Sequence, residues 1–163
     1  MLKNDMEKSR PCSCCAHGEA EKTKCPVCGV LSPAVGAHTV RALLKKDAGV
    51  PAKGPFNICI NPVCEVGYFT DGRTWPHKDA VVPFDFKAGV PVRYACYCNE
   101  LTYEEAAKTV AKIGDADWAG VVKAVKGKVL QCKCAEKNPF GVCCSSNSFK
   151  SAVTEAKNGR KSE

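Results

Sequence analysis

The thirteen cysteines of this 163-residue chain fall in tight groups: Cys12, Cys14 and Cys15; Cys25 and Cys28; Cys59 and Cys64; Cys96 and Cys98; Cys132 and Cys134; Cys143 and Cys144. Extended backbone turns thiols to one side at every second residue, and a tight turn does so at every third. Four thiols converging from two hairpins make a soft tetrahedral cage of the kind that suits zinc or the irons of a cluster. Disulfides are the rival use of the same residues. They belong to secreted proteins, whereas Met1–Arg10 is charged and has no apolar core for export. An odd number of cysteines also leaves one unpaired in any all-disulfide scheme. No segment approaches the roughly twenty apolar residues that span a bilayer. The expectation is a cytoplasmic protein without membrane insertion, whose cysteines bind metal.

The rest of the composition fits metal staples. Aromatic residues make up only 7% of the chain, and 13 glycines and 10 prolines interrupt it, so any core is thin. Two small domains of this kind need bound metals to be stable. The formal charge of +7 hints at nucleic acid, but it counts every thiol as neutral. Two four-thiolate sites, each carrying −2 with its metal, bring the total to about +3, a weak footprint that argues against a nucleic-acid partner.

In the first half, Lys24-Cys25-Pro26-Val27-Cys28-Gly29 reads as a zinc knuckle, with proline stiffening the turn and Gly29 letting the chain fold back under the sulfurs. Thirty residues further on, Phe56–Ile60 and Glu65–Thr70 read as two short strands joined by Asn61-Pro62-Val63, with Cys59 and Cys64 in C-x4-C spacing. Cys25, Cys28, Cys59 and Cys64 are therefore the candidate ligands of a zinc ion, with a single iron as the other occupant such a site accepts. Between the pairs, Thr39 is placed to cap a helix carrying Val40, Leu43 and Leu44, and Lys45-Lys46 lie near its end. A thioredoxin-like reading of C-P-x-C lacks the βαβ pattern it requires. His38 and His77 stand alone and read as ordinary residues. From Asp71 to Val92 the chain is turn-rich.

In the second half, Tyr94–Asn99 is expected to be extended, with Cys96 and Cys98 on one face. Thr102 and Glu105 form a capping box, with Leu101 and Ala106 as the staple, opening a helix that Gly114 ends near Ile113. A second helix opens near Asp115 or Asp117 and places Trp118, Val121, Val122, Val125 and Val129 at helical spacing. Cys132 and Cys134 follow, then Asn138-Pro139-Phe140-Gly141, then Cys143 and Cys144, with a last helix over 145–156.

A C-x-C pair, a helical hairpin of thirty-three residues and a further cysteine pair resemble the bacterioferritin-associated ferredoxin module, which holds a 2Fe-2S cluster at the end of a helical hairpin. Taken together, CPVCG, the C-x4-C hairpin running into Tyr68-Phe69, CYC, CKC and NPFGVCC resemble the N-terminal region of CopZ-type copper chaperones over residues 24–146. That resemblance implies an α+β protein: a small zinc-ribbon-like β-hairpin domain with one helix over 24–92, then a mainly helical, ferredoxin-like 2Fe-2S domain over 93–150. Residues 1–23 are expected to be a flexible cysteine-containing segment and 151–163 a polar tail. Zn2+ and a 2Fe-2S cluster are the implied cofactors. Cys96 and Cys98 are the first pair of cluster ligands. Cys132 preserves the ferredoxin-like interval better than Cys134. Cys144 lies nearer than Cys143 to the start of the last helix, where free amides stabilise a bound thiolate. The expected set is Cys96, Cys98, Cys132 and Cys144, with Cys134 and Cys143 as alternatives and the unused thiols buried as small apolar residues.

The M-x-C-x-x-C copper loop of complete CopZ chaperones has no counterpart, since neither Met1 nor Met6 precedes such a motif. Cys12, Cys14 and Cys15, beside His17, offer a possible soft-metal site in its place. No catalytic constellation or phosphate-binding loop is present in the sequence. The expected function is metal binding and single-electron transfer in the handling of copper or another thiophilic metal, with a redox partner protein and no enzyme chemistry beyond Cu(II) reduction. The competing expectation is a zinc-ribbon adaptor, with both cysteine sets on zinc, that binds nucleic acid or protein.

Overall fold

The computed structural model of the chain describes residues 21–114, 117–144 and 148–159. Cys12, Cys14 and Cys15, the expected flexible segment up to residue 20, the start of the last helix at 145 and the tail from 160 lie outside these residues.

The first half is built on two sheets. Strands β1 (Thr23–Lys24) and β2 (Leu31–Ser32) pair antiparallel across the Cys25–Val30 knuckle. The Cys25 amide bonds the Val30 carbonyl at 3.0 Å, and Gly29 turns the chain at φ +73°, where a side chain would be strained. Strands β3 (Ala34–Val35), β4 (Phe56–Ile58), β5 (Val66–Thr70) and β6 (Arg73–Pro76) form an antiparallel sheet in that order. The β4–β5 connection is the second knuckle, closed by the Cys59 amide on the Gly67 carbonyl at 2.9 Å. Beneath the sheet lie Val40, Leu43, Phe56, Ile58, Tyr68, Trp75 and Phe84, all buried.

Helix α1 (Ala37–Leu43) starts one turn earlier than the sequence predicts. Gly36 is its N-cap, and Thr39 sits inside the helix, 3% exposed, so it caps nothing. The reason is packing. Thr39 lies against Gly141 of the second half, at a position where a Cβ on Gly141 would fall 2.5 Å from the Thr39 hydroxyl.

The second half follows β7 (Tyr94–Cys96) and β8 (Leu101–Thr102) with α2 (Tyr103–Ile113) and α3 (Trp118–Lys126). The capping box is complete: Thr102 Oγ1 accepts from the Glu105 amide at 3.1 Å, and Glu105 Oε2 accepts from the Thr102 amide at 2.9 Å. Leu101 and Ala106 are fully buried in the same core. Asp117 caps α3, whose end at Gly127 leaves Val129 outside the helix and 41% exposed, against the predicted pattern. A four-residue helix α4 (Cys134–Lys137), not foreseen, begins at a cysteine, and α5 (Ser148–Gly159) packs on α2. No helix among the described residues is long and apolar enough to cross a membrane.

The halves are packed together. Tyr68 Oη donates to the Pro139 carbonyl at 2.7 Å and Tyr97 Oη to the Pro83 carbonyl at 2.9 Å, while Asp85 Oδ2 accepts from the Tyr94 amide at 2.9 Å. Phe86 meets Phe140 with ring centroids 5.2 Å apart, and α1 lies against α4. Replacing Thr102 with Ala removes an N-cap acceptor, a loss of about 1 kcal/mol. In a thermal melt followed by far-UV circular dichroism it should lower the midpoint by about 2–4 °C, and an unchanged midpoint would mean that the box contributes nothing.

Candidate metal centres

Two knuckles bring the first set of thiols together. Cys25, Cys28, Cys59 and Cys64 have their Sγ atoms within 4.8 Å of one another, and the Cys28–Cys59 separation is 3.6 Å. Cys25, Cys59 and Cys64 are buried with Val66 and Phe69, while Cys28 is half-buried. The Val30 amide does most to pull the Cys28 thiol down to about 6, with Asn61 and the neighbouring thiols aiding against burial. Burial pushes Cys59 up to about 12 and also raises Cys64. Cys28 therefore loses its proton readily, while Cys59 and Cys64 hold theirs. A dication supplies the charge that lets all four ionise, so the donor set fits zinc.

Sequence reasoning missed a component of this site. Lys87 is only 2% exposed, and its ammonium donates to the carbonyls of Asn61 at 2.8 Å, Cys64 at 3.0 Å and Val66 at 2.8 Å. All three acceptors lie on the second knuckle, so the buried charge fixes the loop that carries Cys64. It also favours the ionised Cys59 thiol. A lysine normally keeps its charge in water, and nothing in the turn-rich segment around Lys87 marks it as an exception. Its three donors are matched to three acceptors, which is what makes burial of the charge tolerable.

The second set of thiols closes into a ring. Cys98 Sγ lies 3.8 Å from Cys134 Sγ, and electrostatic interactions of Cys96 with Cys144 and Cys98, and of Cys134 with Cys144, link the four thiols. These four are buried. Cys132 is half-buried outside the ring, 2.9 Å from Cys134 and grouped with Cys98 and Cys134 within 4.8 Å. Cys143 is half-buried and belongs to neither group of converged thiols among the described residues. The four-thiol arrangement contains Cys134, the alternative the sequence gives beside Cys132, while Cys132 and Cys143 are half-buried. The cause is α4, whose first residue is Cys134: the helical turn carries that thiol inward, and Cys132 precedes it on the outside. Cys96 and Cys98 meet through a turn at Tyr97–Glu100, with Glu100 at φ +50°, and not through strand alternation.

Nitrogen donors surround the ring. Asn99 Nδ2 points to Cys96 Sγ at 3.4 Å, the Lys133 amide to Cys98 Sγ at 3.1 Å, and Asn138 Nδ2 to Cys144 Sγ at 3.1 Å. The Cys144 amide serves Cys134 and the Tyr97 amide serves Cys144. Both asparagines are buried and held from behind, Asn99 Oδ1 by the Leu130 amide at 2.7 Å and Asn138 Oδ1 by the Phe140 amide at 2.9 Å. The Cys144 contact, then the Cys98 contact, draws the Cys96 thiol down to about 2, whereas Cys134 and then Cys96 push Cys98 up. One ionised thiol held by neutral neighbours and by N–H groups is a pocket built for sulfur-borne negative charge. Sequence reasoning anticipated amide donors near Cys144 but neither asparagine. The N-P-x-G turn was the signal for Asn138.

Two converged thiol groups on a small mixed α/β frame define a metal-binding protein. Residues 22–81 match the family model of the CopZ zinc binding domain, a span that contains all four thiols of the first group. We therefore describe this half as a zinc-binding domain. The whole frame is similar to the X-ray structure of the Archaeoglobus fulgidus CopZ N-terminal domain. The TM-score is 0.60 at 25% sequence identity, over 78% of this chain and 96% of that one. Comparison with curated proteins finds no match.

Replacing Lys87 with Met removes the ammonium donor from three knuckle carbonyls together with the buried charge. Zinc affinity, measured by competition with a chromogenic chelator, should fall about 10- to 100-fold. An unaltered affinity would show that Lys87 is irrelevant to the site.

Proposed function

We propose that the protein is a single-electron carrier working in the handling of copper or another thiophilic metal. In this reading a structural zinc is held by Cys25, Cys28, Cys59 and Cys64, and a 2Fe-2S cluster by Cys96, Cys98, Cys134 and Cys144. The observation that carries it is the closed ring of four buried thiols, each within reach of an N–H donor. A zinc site needs four thiolates and little else. Donors aimed at every sulfur are the means by which a protein tunes the potential of an iron–sulfur group. The fit is also one of chemistry, since a soft, all-thiolate, water-poor pocket suits iron and sulfide.

When bound, the cluster supplies reversible one-electron chemistry. The residues of the chain do the rest: Asn99, Asn138 and the Lys133 amide orient the sulfurs, while Tyr97 and Phe149, both mostly buried, keep water from the inner side. Asn138 ties this function to the zinc half. It belongs to the same turn as Pro139, whose carbonyl is held by Tyr68 of β5. The zinc-binding half therefore braces the turn that positions Cys144. Reduction of a bound Cu(II) ion would be electron transfer and would require no catalytic acid or base. The soft-metal role of Cys12, Cys14 and Cys15 belongs to the same reading.

Cysteine-to-serine variants test the ligand set. Changing Cys96, Cys98, Cys134 or Cys144 should abolish or strongly distort the visible absorption of anaerobically purified protein. Cys132→Ser and Cys143→Ser should keep it. Loss of colour in Cys132→Ser with retention in Cys134→Ser would reverse the assignment.

A further inference from the structure

We infer that the surface formed by Lys128–Lys137 beside Cys98 is the docking face for an acidic, protein-borne one-electron carrier; this rests on the reading of the second thiol group as a cluster site. The inner thiols are closed off. Cys96 and Cys144 are 2% and 1% exposed, lying under Tyr97, Asn138 and α5. On the other side, Cys98 lines an open cleft of about 450 Å³ together with Asn99, Glu100, Leu130, Gln131, Lys133 and Lys137. Cys132 is half-exposed beside it. Lys133 is exposed, yet its own backbone amide donates to Cys98 Sγ at 3.1 Å, so a partner touching this residue is one hydrogen bond from a ring sulfur. Electron transfer weakens steeply with distance, and among the described residues no other ring thiol is so near the surface.

The chemistry of the rim selects the partner. Val129 and Leu130 are 41% and 46% exposed, giving an apolar contact area. Lys128, Lys133 and Lys137 are exposed around it, and none of them enters an ion pair among the described residues. The opposing charges are Glu100 on the cleft and Glu136, which is engaged by His38 at 3.2 Å. A small apolar centre ringed by unpaired lysines is the complement of a carrier whose redox edge is ringed by carboxylates. Lysines at such a rim raise the association rate more than the lifetime of the complex. In the exchange, the carrier gives up one electron and is oxidised by one. That electron reduces one ferric ion of the cluster to ferrous, and no atom is transferred.

The test uses the whole 163-residue chain in its oxidised, cluster-loaded form and flavodoxin hydroquinone as the acidic carrier, with bleaching of the visible absorption followed by stopped flow. The second-order rate constant should fall at least about tenfold between about 20 and about 300 mM NaCl. The double change Lys128→Glu and Lys137→Glu should lower the low-salt rate about tenfold or more, with the visible spectrum unchanged. Lys46→Glu with Lys53→Glu, the same change of charge in the first half, should lower it less than about threefold. Should the first pair disturb the spectrum, Lys128→Gln with Lys137→Gln gives the same comparison at half the charge change. Equal effects from the two sites, or a rate indifferent to salt, would overturn the docking face. A wild-type protein purified anaerobically without colour would instead overturn the cluster reading beneath it.

Discussion

Thiolates can be buried side by side only where positive charge and N–H donors compensate their mutual repulsion, and the structure follows from meeting that requirement twice. In the first half the Lys87 ammonium, which sits under the second knuckle on three carbonyls, supplies one positive charge, and the donor set fits a metal dication for the rest. In the second half it comes from asparagine and backbone N–H groups around the ring. The different solutions have different consequences. A full positive charge fixed by three carbonyls makes a rigid site suited to a metal that never changes oxidation state. Neutral dipoles around sulfur leave the net charge of a site free to vary, which is what a redox centre needs.

The two centres share one architecture. Tyr68 leaves the zinc-binding half and ends on the Pro139 carbonyl, Gly141 receives Thr39, and Phe86 meets Phe140. All three contacts fall on the Asn138–Gly141 turn, which also delivers the Asn138 amide to Cys144. A small second half with few aromatic residues would position that turn poorly by itself. Packed on the first half, the turn is held at three points. The zinc-binding half thereby acts as a scaffold for the ring.

Much of this was legible from local pattern. The CPVCG and C-x4-C knuckles, the Thr102–Glu105 capping box and the helical hairpin each depend on residues close in sequence, where spacing and propensity determine geometry. What escaped depended on residues distant in sequence. Lys87 reads as a surface lysine because its acceptors lie more than twenty residues away. Thr39 reads as a cap because the surface that buries it, around Gly141, is in the other half. The short helix α4 has no propensity signature, so the sequence does not show that Cys134 is buried while Cys132 stays half-exposed. Val129 continued a helical period that Gly127 breaks in the left-handed conformation.

In the proposed function the two thiol groups hold different things, zinc in one and a 2Fe-2S cluster in the other. The most direct measurement is the zinc, iron and acid-labile sulfide content of anaerobically purified protein, taken with its visible spectrum before and after dithionite. The expected result is about one zinc, two irons and two sulfides per chain, with a brown colour that dithionite bleaches. A colourless protein with two zincs and no sulfide would contradict it.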